Sequence, residues 1–342
     1  MNEIPILQLD DLDEFNKKWH KAGVVTPEVL KQANRALTDF TKTYYNVKDI
    51  PIRGIMSHWK NQHRGLKIVE FNPTELCNRT CHFCPRHDPK VYPNQNLHMT
   101  EETVQNVVDD LVRYKYEGQI MFSGFGEPLL NRNILKLIKI CSDAGIYTEM
   151  TTNADKMFKV RKPWYKLQDF VDAGLTSMHI DIYDDTKQYN KILKAVEPFK
   201  GKIRFRLTPR FVQTTNIFNN RAGKLNDVEG INKGGRGAPC FAPSVKAFID
   251  WDGTVQMCCH DWDKTGNFGN VNEQPFSEIW NNEKMNKLRS VLMYNKRQKA
   301  GSPCAECNTG GNQPDRKMVE ESWIKHYKRE KEWVIDYAKN IG

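Results

Sequence analysis

The sequence predicts an α/β fold, a partial barrel of parallel strands followed by a smaller C-terminal unit built on a β-hairpin. Three observations predict it. Between residues 66 and 207, short apolar runs alternate with helical patterns. Three cysteines, Cys77, Cys81 and Cys84, stand in a loop straight after the first apolar run. Far along the chain, Asp252-Gly253 joins two alternating stretches that lie between further cysteines. Strands alternating with helices imply right-handed βαβ units in a parallel sheet. The stretch is too short for a closed eight-fold barrel, which needs roughly 250 residues.

Composition sets the frame. The 342 residues, 39% hydrophobic and 27% charged, suffice for one large domain and a smaller one. No apolar run approaches the roughly 18 residues of a membrane span. Met1 to Phe15 is acidic and lacks the cationic, apolar pattern of a leader. No membrane partner and a cytoplasmic location are therefore expected. Nine cysteines without a secretory signal point to metal ligation in a reducing compartment rather than disulfides. The net charge of +9 favours anionic partners: a phosphorylated metabolite, an acidic peptide or nucleic acid. A soluble basic enzyme with solvated lysines accounts for it more simply, so nucleic acid is not the expected partner.

Residues 1–64 form an N-terminal extension. Thr26 as N-cap and Pro27 at the first helical position start a helix that runs to Tyr44. The barrel region, 65–210, opens with a strand at Leu66 to Phe71. Thr100 caps the next helix, with Thr103 in place of the usual capping-box acid. Strands follow at Gln119 to Phe122, Ile146 to Thr151, Leu175 to Ile182 and Lys202 to Leu207. Helices lie between them at Asn131 to Ala144, Trp164 to Ala173 and Asp185 to Phe199, two of them closed by Gly145 and Gly174. Cys141 falls on an apolar helix face and reads as core. Residues 211–239, rich in Asn, Gly, Lys and Thr, connect to a unit at 240–310. There Val245, Ala247 and Ile249 alternate, Asp252-Gly253 turns, and Thr254 to Cys258 returns. Two short helices after Pro275 and a charged amphipathic helix in 311–342 complete the chain.

The chemistry resides in the loops. Cys77-Asn78-Arg79-Thr80-Cys81-His82-Phe83-Cys84 has the spacing C-x3-C-x2-C. Zinc sites usually repeat C-x2-C or add histidines, and ferredoxin-type cubanes take four cysteines. Three thiolates would leave one iron of a [4Fe–4S] cluster open, and an open metal position means chemistry. A zinc or disulfide loop is the alternative. Ser123-Gly124-Phe125-Gly126-Glu127-Pro128 follows the second strand, and its glycines let backbone approach a ligand. Thr151-Thr152-Asn153 ends the third strand; Asn153 suits a ribose hydroxyl or an Asx turn. His179 and Asp181 end the fourth strand on one side, open to a ligand or to a cap or salt bridge. Arg204 and Arg206 alternate on the fifth, and an inward guanidinium suits a carboxylate.

Together, the cysteine loop with Phe83 in its aromatic slot and the Gly-Phe-Gly-Glu-Pro segment resemble the radical S-adenosylmethionine (SAM) superfamily. That resemblance implies a partial (β/α)6 barrel and a [4Fe–4S] cluster on Cys77, Cys81 and Cys84. It places SAM on the open iron, beside Phe83. Gly124, Gly126 and Glu127 would receive its amino group, although Phe125 replaces an inner glycine of the family pattern. Asn153 would meet the ribose; Asp181 is open to the ribose or the substrate, and Arg206 to the SAM carboxylate or an anionic substrate. A one-electron donor such as flavodoxin or ferredoxin would drive formation of a 5′-deoxyadenosyl radical that abstracts hydrogen.

Cys240, Cys258, Cys304 and Cys307 supply four more thiolates, enough for an auxiliary [4Fe–4S] cluster or a zinc ion. The pattern C-x12-G-x4-C from Cys240 to Cys258 resembles the opening of the SPASM extension of that superfamily. No cysteine follows Cys307, as in the shortened Twitch form, and the spacings resemble those of butirosin-type aminocyclitol dehydrogenases. Cys258 and Cys259 are adjacent; the G-x4-C spacing selects Cys258. His260 and Asp261 then qualify as the base that takes a proton while the substrate radical is oxidised, or as hydrogen-bonding groups at the cluster. The resemblance implies an oxidoreductase acting on a polar metabolite such as a sugar or aminocyclitol, and the net charge favours an anionic one. A peptide or protein maturase and an RNA-modifying protein are the alternatives.

Overall fold

The computed structural model describes residues 66–210, 219–225, 240, 242–293 and 295–309. The helix expected over 26–44, most of the connection at 211–239 and the tail helix lie outside the described residues. Five strands, β1 (Ile68–Phe71), β2 (Gln119–Phe122), β3 (Tyr147–Thr152), β4 (Ser177–Ile182) and β5 (Arg204–Pro209), pair in sequence order, all parallel. Helices α1 (Glu101–Arg113), α2 (Ile134–Asp143), α3 (Asp155–Phe158), α4 (Leu167–Asp172) and α5 (Thr186–Val196) alternate with them. No helix among the described residues is long and apolar enough to cross a membrane.

The sheet does not stop at β5. After a short helical turn, α6 (Ala242–Val245), strand β6 (Lys246–Ile249) pairs parallel with β1 on the other edge. Strand β7 (Val255–Gln256) returns antiparallel to β6, giving the order β5-β4-β3-β2-β1-β6-β7. The expected hairpin exists, with Asp250 N–H donating to Thr254 O at 2.9 Å and Gly253 N–H to Asp250 O at 3.0 Å. Its first strand is also the sixth parallel strand of the barrel. Helices α7 (Phe276–Asn281), α8 (Glu283–Met293) and α9 (Arg297–Ala300) complete the described chain. The amide of Ser277 donates to Asp110 of α1 at 2.6 Å, which ties α7 to the barrel.

Local chemistry accounts for the element ends. Thr100 accepts from the amide of Thr103 at 3.2 Å and Asp185 from that of Gln188 at 2.7 Å, so both helices start on side-chain caps. The helix expected from Asn131 begins later, because Pro128–Leu130 forms a 3₁₀ turn. Asn131 itself donates to the carbonyls of Pro73 and Met99. Similarly, α4 starts at Leu167 rather than Trp164, whose ring lies under the Arg132 guanidinium at 3.2 Å.

Side chains alternate across the sheet, and the two faces differ. Val69, Phe71, Ile120, Phe122, Met150, Met178, Ile180 and Ile182 are fully buried on the helix-covered side. The register aligns Glu70 with Met121, Glu149, Ser177 and Arg204 on the opposite side. Two residues further along β4 and β5 the same side carries His179 and Arg206. The barrel interior is therefore polar and charged.

Candidate active site

The two sequence motifs meet at the ends of β1 and β2. The amide of Glu127 donates to the carbonyl of Leu76 at 2.7 Å. A Cβ on Gly126 would sit 2.1 Å from the Thr74 carbonyl oxygen and 2.6 Å from that of Leu76, so only glycine allows this approach. Gly124 adopts φ +96° beside Asn72, whose side-chain oxygen accepts from the amide of Phe125 at 2.9 Å. The Gly-Phe-Gly-Glu loop thus lies flat on the segment leading into Cys77.

The cysteine loop is held from several sides. Asn94 accepts from the amide of Cys77 at 2.8 Å and donates to its carbonyl at 3.1 Å. Behind it, the buried guanidinium of Arg86 donates to Asn94, to the Phe125 carbonyl at 2.6 Å and to Glu75 at 2.8 Å. Asn78 donates to Asp155 at 2.7 Å, while Arg79 grips Asp155 at 2.6 and 2.8 Å and Asp184 at 3.0 Å. The loop is thereby tied to the turns that follow β3 and β4. Phe83 stacks on Tyr183 with ring centres 6.2 Å apart and packs on Leu225.

Electrostatics brings each cysteine set together. Burial pushes the Cys77 thiol up to about 12, with Glu127, Cys84 and Cys81 adding to it. Burial and Cys84 push Cys81 up to about 11. In the second set, burial raises Cys258, with Cys259, Cys304 and Cys240 adding to the effect. Burial, Cys240 and Cys307 push Cys304 up to about 12. Such thiols stay protonated unless cations compensate, and iron does so. Among the described residues no three ligand-type side chains converge on a single metal ion. Cluster thiolates bind separate irons and need not converge. All-sulfur donor sets of three and four fit [4Fe–4S] clusters.

The adjacent pair divides between two neighbourhoods. Cys259, Cys304 and Cys240 all act on Cys258, whose Sγ accepts from the amide of His260 at 3.4 Å. The charges acting on Cys259 are Lys246, Glu70 and Arg221, all outside the four-cysteine set. Cys141 is fully buried on the apolar face of α2.

Several expected ligand residues are engaged within the protein. Glu127 accepts from Thr152 Oγ1, from the amide of Asn153 at 2.8 Å and from that of Leu129 at 3.1 Å. Burial outweighs these bonds and pushes its carboxyl up to about 7. Asn153 forms the Asx turn, accepting from the amide of Asp155 at 3.0 Å and donating to Asn78 at 3.1 Å. Asp181 takes both Nε and Nη2 of Arg210 at 2.9 and 3.1 Å, and lies 3.1 Å from His179 Nε2. Arg206 meets His179 at Nδ1. A guanidinium only donates, so Nδ1 is the bare nitrogen, and Nε2–H faces Asp181 and Thr208. Burial, Arg206 and Arg210 against the pull of Asp181 push His179 down to about 4.

Asp261, expected as a base or as a hydrogen-bonding group at the cluster, is engaged within its own loop. It is fully buried and closes its own loop, accepting from Thr265 N–H and Oγ1 at 3.1 and 3.0 Å and from Gly266 N–H at 2.7 Å. His260 keeps a buried Nδ1 with no hydrogen-bond partner. Burial, Arg221 and Lys246 push its imidazole down to about 3. Sequence reasoning missed Asn78, Arg79, Arg86, Asn94, Asp155 and Arg210. The only signal was that Asn78 and Arg79 lie inside the first cysteine interval.

Comparison with known proteins follows this geometry. Residues 71–204 match the radical SAM superfamily, and residues 240–308 match SPASM, an iron-sulfur cluster-binding domain. The S-adenosyl-L-methionine-dependent 2-deoxy-scyllo-inosamine dehydrogenase of Niallia circulans is 25% identical over 249 residues, which is 70% of this chain and 92% of the relative. The crystal structure of BtrN in complex with AdoMet and 2-DOIA superposes with a TM-score of 0.59 at 24% identity, covering 71% of this chain and 93% of that one. PqqA peptide cyclase of Bradyrhizobium diazoefficiens is 29% identical over 107 residues, 31% of this chain and 26% of the relative.

Proposed function

Because the chain belongs to the radical SAM superfamily and carries a SPASM-type iron–sulfur domain, we propose that it oxidises a C–H bond of a polar metabolite, a sugar or aminocyclitol. When bound, the cluster on Cys77, Cys81 and Cys84 together with SAM supplies a hydrogen-abstracting 5′-deoxyadenosyl radical, and a second cluster on Cys240, Cys258, Cys304 and Cys307 supplies a one-electron acceptor. The protein's own side chains do the rest. Asn94, Asp155 and Asp184 hold the cysteine loop over the barrel mouth. Glu127 and Asn153 fix the loops that border SAM rather than binding it through free side chains. Phe83 and Tyr183 form an aromatic wall beside Cys81.

The observation that carries this reading is the charged inner face. Glu70 pairs with Lys246 at 2.5 Å, and Arg210 pairs with Asp181 at 2.9 Å. Glu149 and Ser177 lie between these two pairs. Paired charges of both signs suit a substrate bearing hydroxyls or amines, each of which needs buried partners. They favour it over a strongly anionic one. The basic chain, at net +9, suits an acidic low-potential donor such as flavodoxin or ferredoxin. The peptide cyclase match covers only 31% of this chain, and a peptide substrate remains the second reading.

Anaerobic reconstitution with iron and sulfide tests it, followed by SAM, dithionite and separate panels of aminocyclitols, sugars and peptides. The expected result is about eight irons per chain, with 5′-deoxyadenosine released in step with a ketone or aldehyde product. Release coupled only to peptides would replace the metabolite reading, and no release at all would end it.

A further inference from the structure

Phe125 stands where the family pattern has an inner glycine, and its side chain packs outside the Gly-Phe-Gly-Glu loop. Its ring centre lies 4.4 Å from that of Trp262, 4.9 Å from Phe248 and 5.7 Å from Tyr92, and Cys84 packs on the same rings. Its main chain is held as well. Asn72 accepts from the Phe125 amide at 2.9 Å, and Arg86 donates to the Phe125 carbonyl at 2.6 Å. Asn72 also donates to Glu75 at 2.8 Å and to Asp250 at 2.7 Å, while Arg86 pairs with Glu75 at 2.8 Å. Both carboxylates are buried, and Lys264 meets the two together, its Nζ 2.6 Å from Asp250 and 3.0 Å from Glu75. Buried charges need such partners, so Arg86 and Lys264 jointly neutralise the pair. Trp262 and Lys264 belong to the loop that leaves Cys258. There the Asp261 amide donates to the Cys258 carbonyl at 3.1 Å, and the Lys264 amide to that of Asp261 at 3.0 Å. Lys264 adopts φ +55°, which a residue with a side chain rarely takes, and its two ion pairs hold it there. The ring and the main chain of Phe125 thus both end on the second cysteine unit.

We propose that Phe125 is a positioning residue through which Trp262 and Lys264 set the loop that receives SAM, so that the second cysteine unit controls how tightly SAM is held. The proposal rests on the radical SAM reading above and adds a coupling between the two sites. A glycine at 125 would leave this loop only its main-chain bonds, whereas the phenyl ring fastens it to the loop that follows Cys258. Asn72 and Arg86 carry the same coupling through the main chain, since each holds Phe125 with one group and a carboxylate of Lys264 with another. Coupling between two sites is reciprocal. Whatever SAM gains from the 258–264 loop, that loop gains from SAM.

The test uses the full chain, reconstituted with iron and sulfide and left oxidised so that SAM binds without turning over. Equilibrium dialysis with labelled SAM gives the affinity. Lys264→Gln and Phe125→Leu are expected to bind SAM on the order of tenfold more weakly than the wild type while keeping about eight irons per chain. Lys264→Arg, which retains the charge, is expected to bind as the wild type does. Hydrogen exchange supplies a second readout: SAM should slow exchange across 261–266 in the wild type and not in Lys264→Gln. Unchanged SAM affinity in both Lys264→Gln and Phe125→Leu would overturn the proposal, as would Lys264→Arg binding no better than Lys264→Gln. So would exchange across 261–266 that ignores SAM in the wild type. Weak binding that came only with loss of iron would overturn it too, because these residues would then merely support a cluster. If the wild type bound no SAM at all, the radical SAM reading would fail and carry this one with it.

Discussion

The two cysteine sites are built in opposite ways. Cys77, Cys81 and Cys84 occupy one short loop, gripped by charged groups from several strand ends: Asp155 and Asp184 on Arg79, and Arg86 behind Asn94. Cys240, Cys258, Cys304 and Cys307 come from three distant segments. Their ties are largely neutral and run through the main chain. Cys240 N–H donates to Leu292 O at 3.0 Å, and Asn220 and Asn308 exchange bonds at 2.8 and 3.1 Å. Asn220 also donates to Glu306 O at 2.9 Å, and Arg297 donates to Cys307 O at 3.2 Å. Closing long loops costs chain entropy, and metal binding commonly supplies what such closure lacks. The first set is thus shaped by the barrel itself, whereas the second is expected to need metal for closure.

Cysteine replacements should separate the sites most sharply. Cys77→Ala is expected to abolish 5′-deoxyadenosine formation and to leave about four irons per chain. Cys258→Ala should also retain about four irons, yet still cleave SAM. Iron analysis alongside product chromatography checks both. Equal loss of cleavage in the two variants would erase the distinction. Next in size is removal of iron by a chelator. Hydrogen exchange should then quicken across 258–266 and 301–309 while β1 to β4 stay protected. Uniform exchange across both regions would contradict the comparison.

This asymmetry also marks what the sequence made legible. The first site was readable because its ligands are local: eight consecutive residues hold the spacing, and β2 carries a clear pattern at Gln119–Phe122. The Gly253 turn likewise announced the hairpin. Nothing local signalled that β6 would pair with β1, because that contact spans residues with no shared pattern. Asp155, Arg86 and Asn94 were equally hidden: a single polar residue in a loop has no periodicity, and its role appears only when its partner is placed. The bonds of Asp261 to Thr265 and Gly266 were hidden in the same way, since they appear only when the loop is placed.

Smaller substitutions sharpen the comparison further. Asp155→Ala strips one of two carboxylates from Arg79, a side chain 14% exposed, and is expected to cost on the order of 2–3 kcal/mol. It should lower loading of the first cluster and spare the second. Asn220→Ala removes neutral bonds to 306–308 and should cost about 1–2 kcal/mol, with the opposite effect on loading. Urea unfolding and cluster-resolved spectroscopy read both.

The smallest expected effect concerns proton uptake at the strand ends that carry the first site. His179 is pushed down to about 4 by burial and two guanidinium groups, against about 6.5 when free. Between those values the unfolded chain binds more protons, so this stability is complete above about pH 6.5 and is lost as pH falls toward 4. Glu127 is pushed up to about 7, so its contribution runs the other way. It is complete below about 4.5 and is lost as pH rises through 7. The charged partners of His179, namely Asp181, Arg206 and Arg210, keep their charge across this window. Measured by urea between pH 5 and 7.5, His179→Gln should remove from the wild-type profile a rise of stability with pH, and Glu127→Gln should remove a fall. A profile unchanged by either variant would mean that these two groups do not titrate where their surroundings place them.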